Sequence, residues 1–201
     1  PEDQIARARI FHFGTLSLTD EPVRSATRRA VAMAKRGGAI CSFDPNLRPT
    51  LWGSLEEARR QIEWGLEQSD AVKIADNELT FLTGETDLDR GAAMLRDRFP
   101  NIRLLCVTAG AGGSCGYSGA HSAYQPSFLL GGTIDTTGAG DTFCACVLHF
   151  VLEHGLDLTG RQLNEMLRYA NAAAYLVTTR KGAIRSMPDP SQVDAILQTT
   201  R

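Results

Sequence analysis

The sequence predicts an α/β protein with a largely parallel sheet, helices on both faces and an antiparallel edge. Two observations predict it. Short apolar runs alternate with amphipathic segments at the interval of βαβ units. After Thr108 that alternation gives way to a glycine- and serine-rich stretch with short alternating runs, the signature of hairpins.

The elements follow in order. Ala8 to Phe13 (ARIFHF) reads as a strand closed by Gly14. Val23, Ala26, Ala30, Val31 and Ala34 fall at helical spacing, so a helix is expected over Pro22 to Lys35. Thr19 and Asp20 offer N-caps, Pro22 lies in the first turn, and Gly37-Gly38 ends the helix. A buried strand is expected at Ala39 to Phe43. Ser54 with Glu57 forms a capping box for a helix reaching about Glu67. Strands at Ala71 to Ala75 and Arg103 to Thr108 bracket a helix at Asp89 to Arg98. Hairpins are expected within Gly110 to Leu130. Helices follow at Gly140 to His154, at Leu163 to Thr178 (capped by Thr159 with Gln162), and from Ser191. Loops after Phe43, Ala75 and Thr108 lie at the carboxyl ends of strands, where open α/β sheets bind ligands.

Composition excludes several classes. The 201 residues are 43% hydrophobic and 22% charged, as in ordinary globular domains rather than disordered or fibrous chains. With 21 Lys plus Arg against 23 Asp plus Glu, no polybasic surface is expected to recruit nucleic acid or anionic lipid. The longest uncharged run, Leu104 to Ile134, is interrupted by glycines and by Ser114, His121 and Gln125, so no membrane span is expected. Pro1 to Arg9 mixes charges without an apolar stretch, so no signal peptide is expected there. Five cysteines (Cys41, Cys106, Cys115, Cys144, Cys146) without a C-x-x-C pair suit reduced, buried thiols in a cytoplasmic protein; the alternative is a zinc site or disulfide framework. His12, His121, His149 and His154 lack metal-ligand spacing and are expected to be structural.

Asp135-Thr-Thr-Gly-Ala-Gly-Asp141-Thr-Phe143 carries the most chemistry. Two glycines let the backbone turn and approach a ligand. An apolar helix begins at once, so unpaired N–H groups point into the turn, an anion site suited to phosphate. Asp141 sits inside that anion site. For pure anion binding a carboxylate there repels the ligand, but in phosphoryl transfer it accepts the proton of an attacking hydroxyl. The alternative is a helix cap. A P-loop is absent, and the dinucleotide fingerprint is broken at Phe143.

This segment resembles the second signature of the ribokinase-like, PfkB-type carbohydrate kinases. Other motifs share the resemblance. Phe43-Asp-Pro-Asn-Leu-Arg-Pro-Thr-Leu-Trp52 is similar to a segment of fructokinases and 2-keto-3-deoxygluconate kinases. Asp76-Asn-Glu-Leu-Thr-Phe-Leu-Thr-Gly84 resembles the acidic segment ending in L-T-G. Thr108-Ala-Gly110 with Gly113 resembles the nucleotide loop, and Asn171 to Ala174 with Val177 to Ile184 the adenine-side helix and loop.

The resemblance implies a ribokinase-like three-layer α/β/α sandwich, with residues 1–201 forming one nucleotide-binding and catalytic domain. It implies that Asp141 is the general base, and that Gly138, Ala139, Gly140 and Asp141 offer amides to the transferred phosphoryl group. It implies that Glu78 holds Mg2+ through water, although Ala75 stands where Asn is common; the alternative is a carboxylate favoured by a helix dipole. Asp44, Asn46 and Arg48 would reach phosphate or sugar, the alternative being a plain turn. Trp52 is expected to pack rather than to stack on sugar. Thr108, Gly110, Gly113, Asn171, Gly182 and Ala183 would hold the nucleotide, with Asn171 hydrogen-bonding near adenine, though core packing equally explains Ala172 to Ala174. Asp135, Thr137 and Ser186, with carbonyls near Val177, Arg180 and Gly182, match a K+ site.

The implied activity is ATP-dependent phosphorylation of a sugar's primary hydroxyl, with fructose as the expected acceptor. The alternatives are 2-keto-3-deoxygluconate, or a non-catalytic nucleotide-binding fragment or regulatory protein. Family members begin with about a further third of chain that carries a β lid and most sugar contacts. The expected form is therefore a truncated product or a piece of a longer protein, with a homodimer expected of the full-length form.

Overall fold

A computed structural model of the chain describes residues 2–199; Pro1 and residues 200–201, the ends of the expected domain, lie outside that range. The chain divides into two compact units, one ending at Val107 and one starting at Thr108.

In the first unit the strands β1 (Ile10–Gly14), β2 (Ile40–Asp44), β3 (Ala71–Ala75) and β4 (Leu104–Thr108) follow chain order. β1 pairs parallel with β2, and β2 with β3. The helices are α1 (Glu2–Ala6), α2 (Val23–Arg36), α3 (Leu55–Gln68), α4 (Asp76–Thr83) and α5 (Leu88–Arg98). Phe13, Phe43, Ile62, Leu66, Ile74 and Leu79 are buried in its core. Gly65 of α3 is needed for this packing, since a Cβ there would stand 2.3 Å from the Phe43 ring.

Two caps differ from expectation. Neither Thr19 nor Asp20 caps α2 with its side chain. The Thr19 hydroxyl donates back to the Leu16 carbonyl, and the Glu21 carboxylate accepts from the Ser25 amide instead. On α3, Ser54 accepts from the Glu57 amide, but the Glu57 carboxylate turns to Arg60 and Gln61, so only half of the capping box forms. Helix α4 was expected only through the alternative reading of Glu78 as a carboxylate at a helix start, and that reading is the one the structure shows. Its eight residues carry little periodicity, and its signals are local: Gly84 in the left-handed region at its end, and Glu78 reaching back to the Ala75 amide at its start.

The second unit holds one antiparallel hairpin, β5 (Ser114–Ser118) with β6 (His121–Gln125), and helices α6 (Ala139–His154), α7 (Gly160–Thr178) and α8 (Pro190–Thr199). Residues 126–138 form an irregular loop rather than a further hairpin. α7 carries the reciprocal Thr159–Gln162 box. Leu163 and Leu167 of α7 lie over Gly116, where an added Cβ would crowd both side chains at 3.3 Å. Parallel strands followed by an antiparallel pair bear out the expected α/β class. Among the described residues no helix is long and apolar enough to cross a membrane.

Candidate active site

The turn before α6 is built by Asp135. One carboxylate oxygen accepts from the Thr137 amide at 2.9 Å and the other from the Gly182 amide at 3.0 Å, so this side chain ties residues 135–137 to the loop after α7. The Ile134 and Asp135 amides both donate to the Thr178 carbonyl at the end of α7. Gly138 then adopts φ +83°, and a Cβ there would stand 3.0 Å from that of Ala183. Only glycine satisfies both constraints.

The Ala139 amide, expected to face a phosphoryl group, donates to the Thr136 carbonyl at 3.2 Å. Thr142 donates to the Gly138 carbonyl. Among the described residues this leaves the Gly138, Gly140 and Asp141 amides without a protein acceptor, at the positive end of a 16-residue helix. The free amides at this turn are therefore three rather than the expected four. The Asp141 side chain is exposed beside them.

Hydrogen bonds from the Thr137 hydroxyl and amide and the Gly182 amide, with Lys181 nearby, hold the Asp135 carboxyl down at about 2. A carboxylate with a depressed pKa contributes stability that is present above its unfolded value, 3.8, and is lost as pH falls through about 2. The Asp135 carboxyl carbon is accordingly expected to titrate by NMR near 2, and Thr137→Val to move the midpoint up toward 3.8; an unmoved midpoint would remove Thr137 from this role.

A cleft of about 310 Å3 lies beside the anion turn. Its walls include Thr108, Gly110, Gly113, Phe143, Asn171 and Tyr175, with Ala139 and Gly140 at the turn itself. The volume is at the lower end of small-molecule sites. Gly110 and Gly113 both have positive φ, and a side chain on Gly113 would run into the Gln125 carbonyl.

Asn171 stands in the wall but is not free to read a base. Its amide donates to the Gln125 and Pro126 carbonyls, each at 3.1 Å, and its oxygen accepts from Ser114 at 2.9 Å. It is a buried brace between α7 and the end of β6. Gly182 and Ala183, expected near adenine, instead pack on the anion turn. The buried Ser186 hydroxyl donates to the Lys181 carbonyl.

The first unit corrects two further expectations. Asp44 does not reach toward a ligand. It is 5% exposed, 3.0 Å from the Lys73 ammonium on β3, and its other oxygen accepts from the Asn46 amide. Asn46 follows in the left-handed region (φ 45°), so the D-P-N segment is a turn anchored by a buried ion pair. Glu78 is 4% exposed, and its two oxygens accept from the Leu47 amide at 2.6 Å and the Ala75 amide at 2.8 Å. Each oxygen thus holds one backbone amide, and Glu78 clamps the loop after β2 to the start of α4. Burial pushes its pKa up, and the nearby Asp44 adds to that. Arg48 is left exposed at the loop, where its guanidinium donates to the Leu47 carbonyl. The Trp52 indole N–H is buried without a partner, in keeping with a packing role. Lys73 is the buried partner that sequence reasoning missed; its signal was a charge inside the apolar run AVKIA.

The pfkB family carbohydrate kinase pattern matches residues 1–190. The chain belongs to that family. It is 40% identical to fructokinase-2 of Solanum habrochaites over 98% of its own length and 60% of that protein's. The crystal structure of a fructokinase from Xylella fastidiosa with bound ATP superposes with a TM-score of 0.87 at 28% identity, over 99% of this pfkB chain and 64% of the other. A fructokinase from Vibrio cholerae, crystallised with fructose, ADP and calcium ion, gives 0.83 at 29% identity, over 95% and 61%. The fold is therefore the ribokinase-like α/β fold. This pfkB chain spans about 60% of the length of the curated relatives it matches.

Proposed function

We propose that this protein is an ATP-dependent sugar kinase that phosphorylates a primary hydroxyl of fructose. The observation that carries this is the set of three unspent amides, Gly138, Gly140 and Asp141, around an exposed carboxylate at the start of α6. In the proposed step the Asp141 carboxylate takes the hydroxyl proton as the sugar oxygen bonds to the γ-phosphorus. The bond from that phosphorus to the bridging oxygen breaks, and ADP leaves with the electron pair. The three amides stabilise charge on the transferred group. The nucleotide lies in the cleft walled by Thr108, Gly110 and Gly113; nucleotide use itself is supported by the relatives crystallised with ATP and ADP.

Mg2+ would be held by the nucleotide's phosphates and by water, with one or two protein oxygens completing its ligands, and would neutralise phosphate charge there. Asp135, Thr137 and Ser186, with carbonyls near Val177, Arg180 and Gly182, would hold a K+, and that ion would order the anion turn. The family match runs across both units, which supports one nucleotide-binding and catalytic domain. A cytoplasmic location and a homodimer of the full-length form belong to the same proposal.

An exposed Arg48 favours a second acceptor, 2-keto-3-deoxygluconate, whose carboxylate it would pair. The test is ADP release by the full-length protein with each sugar. ADP formed only when fructose is present supports the proposal, and a preference for the sugar acid moves it to the second acceptor. Nucleotide binding without phosphorylation of any sugar overturns catalysis in favour of a nucleotide-binding fragment.

A further inference from the structure

The cleft beside the anion turn is lined by sixteen residues, none charged. A purine's edge is told apart by fixed donors and acceptors. Adenine offers an N–H donor at position 6 and an acceptor at N1; guanine offers a carbonyl at position 6 and an N–H at N1. A side-chain amide or a charged group discriminates these two patterns because its own donors and acceptors are fixed.

In this cleft the one side-chain amide is consumed. Both Asn171 amide hydrogens go to backbone carbonyls and its oxygen accepts from Ser114. The Tyr175 hydroxyl donates to the Gly131 carbonyl at 2.8 Å, and the Thr178 hydroxyl to the Tyr175 carbonyl at 2.7 Å. The remaining polar side chains are the hydroxyls of Thr108, Ser127, Thr133 and Thr136. A hydroxyl rotates to donate or to accept, so it serves either purine equally. Around these stand Phe128, Leu129, Phe143 and Ala174, which bind a flat ring by area rather than by pattern.

We propose that the side chains of the nucleotide cleft read the flat face of a purine and not its edge, so that the protein uses adenine, guanine and hypoxanthine nucleotides alike. This rests on the proposed function, since it concerns the donor of that reaction. A site whose buried polar groups pair with the base rejects the wrong one by about 10⁴–10⁵, whereas an apolar slot does not.

The test measures binding of ADP, GDP, IDP, CDP and tripolyphosphate to the full-length protein by calorimetry, alongside phosphorylation of fructose with ATP, GTP and ITP. The three purine diphosphates are expected to bind within about tenfold of one another, with CDP and tripolyphosphate weaker because they cover less of the apolar wall. ADP preferred over GDP by more than tenfold would overturn base-blind recognition while leaving the kinase proposal standing. Binding of no nucleotide would overturn both. Equal purine binding with no phosphorylation would uphold the cleft's character and sink the catalytic reading alone.

Discussion

Asp141→Asn in the full-length protein is expected to lower kcat for sugar phosphorylation by about 10²–10⁴, the usual contribution of a positioned general base. The carboxamide matches the carboxylate in size and cannot take the hydroxyl proton. ADP affinity is expected to hold or to rise, because the substitution removes a negative charge beside the Gly138, Gly140 and Asp141 amides without touching them. Those two readouts separate chemistry from folding: a misfolded variant would lose both. Turnover within about tenfold of the parent would remove Asp141 as the base, and with it the proposed step.

The second large effect is on stability. Lys73 and Asp44 are 8% and 5% exposed and 3.0 Å apart, with Glu78 close enough that each charge is felt at its carboxyl. Lys73→Met leaves two buried carboxylates without their cation, and breaking a buried pair from one side typically costs about 3–5 kcal/mol. The urea midpoint is expected to fall accordingly, with little change in the slope. Adding Asp44→Asn, which keeps the acceptor for the Asn46 amide, is expected to recover part of that loss, because the one carboxylate then left at this site, Glu78, is held by the Leu47 and Ala75 amides. If Lys73→Met stays within about 1 kcal/mol of the parent, the ion pair does not anchor the loop after β2.

The two units explain why some residues were readable and others were not. Periodicity placed β1 to β4, α2, α3, α5, α6 and α7 to within a few residues, since each buries a repeating apolar face whose period is local. Helix α4 escaped because eight residues around Glu78 show little repeat, and its start is defined by a side chain reaching back three positions. The capping of α2 escaped for a related reason. Thr19, Asp20 and Glu21 are all competent acceptors, and only the path of the turn selects Glu21.

Much about this protein was determined by the order of residues alone. The α/β class and the glycine-bounded acidic turn at Asp135 to Asp141 rest on local spacing, which chemistry constrains over a few consecutive positions, and the pfkB family membership rests on the resemblance of motifs along residues 1–190. What only the tertiary structure decided is how polar groups are spent. Asn171 was available to a base until Ser114, Gln125 and Pro126 came within reach of it, and the Glu78 carboxylate holds the Leu47 and Ala75 amides because folding brings them to it. A donor or acceptor can be counted from its residue name, but its partner is whichever group folding brings to about 3 Å, often 30 or more positions away in the chain.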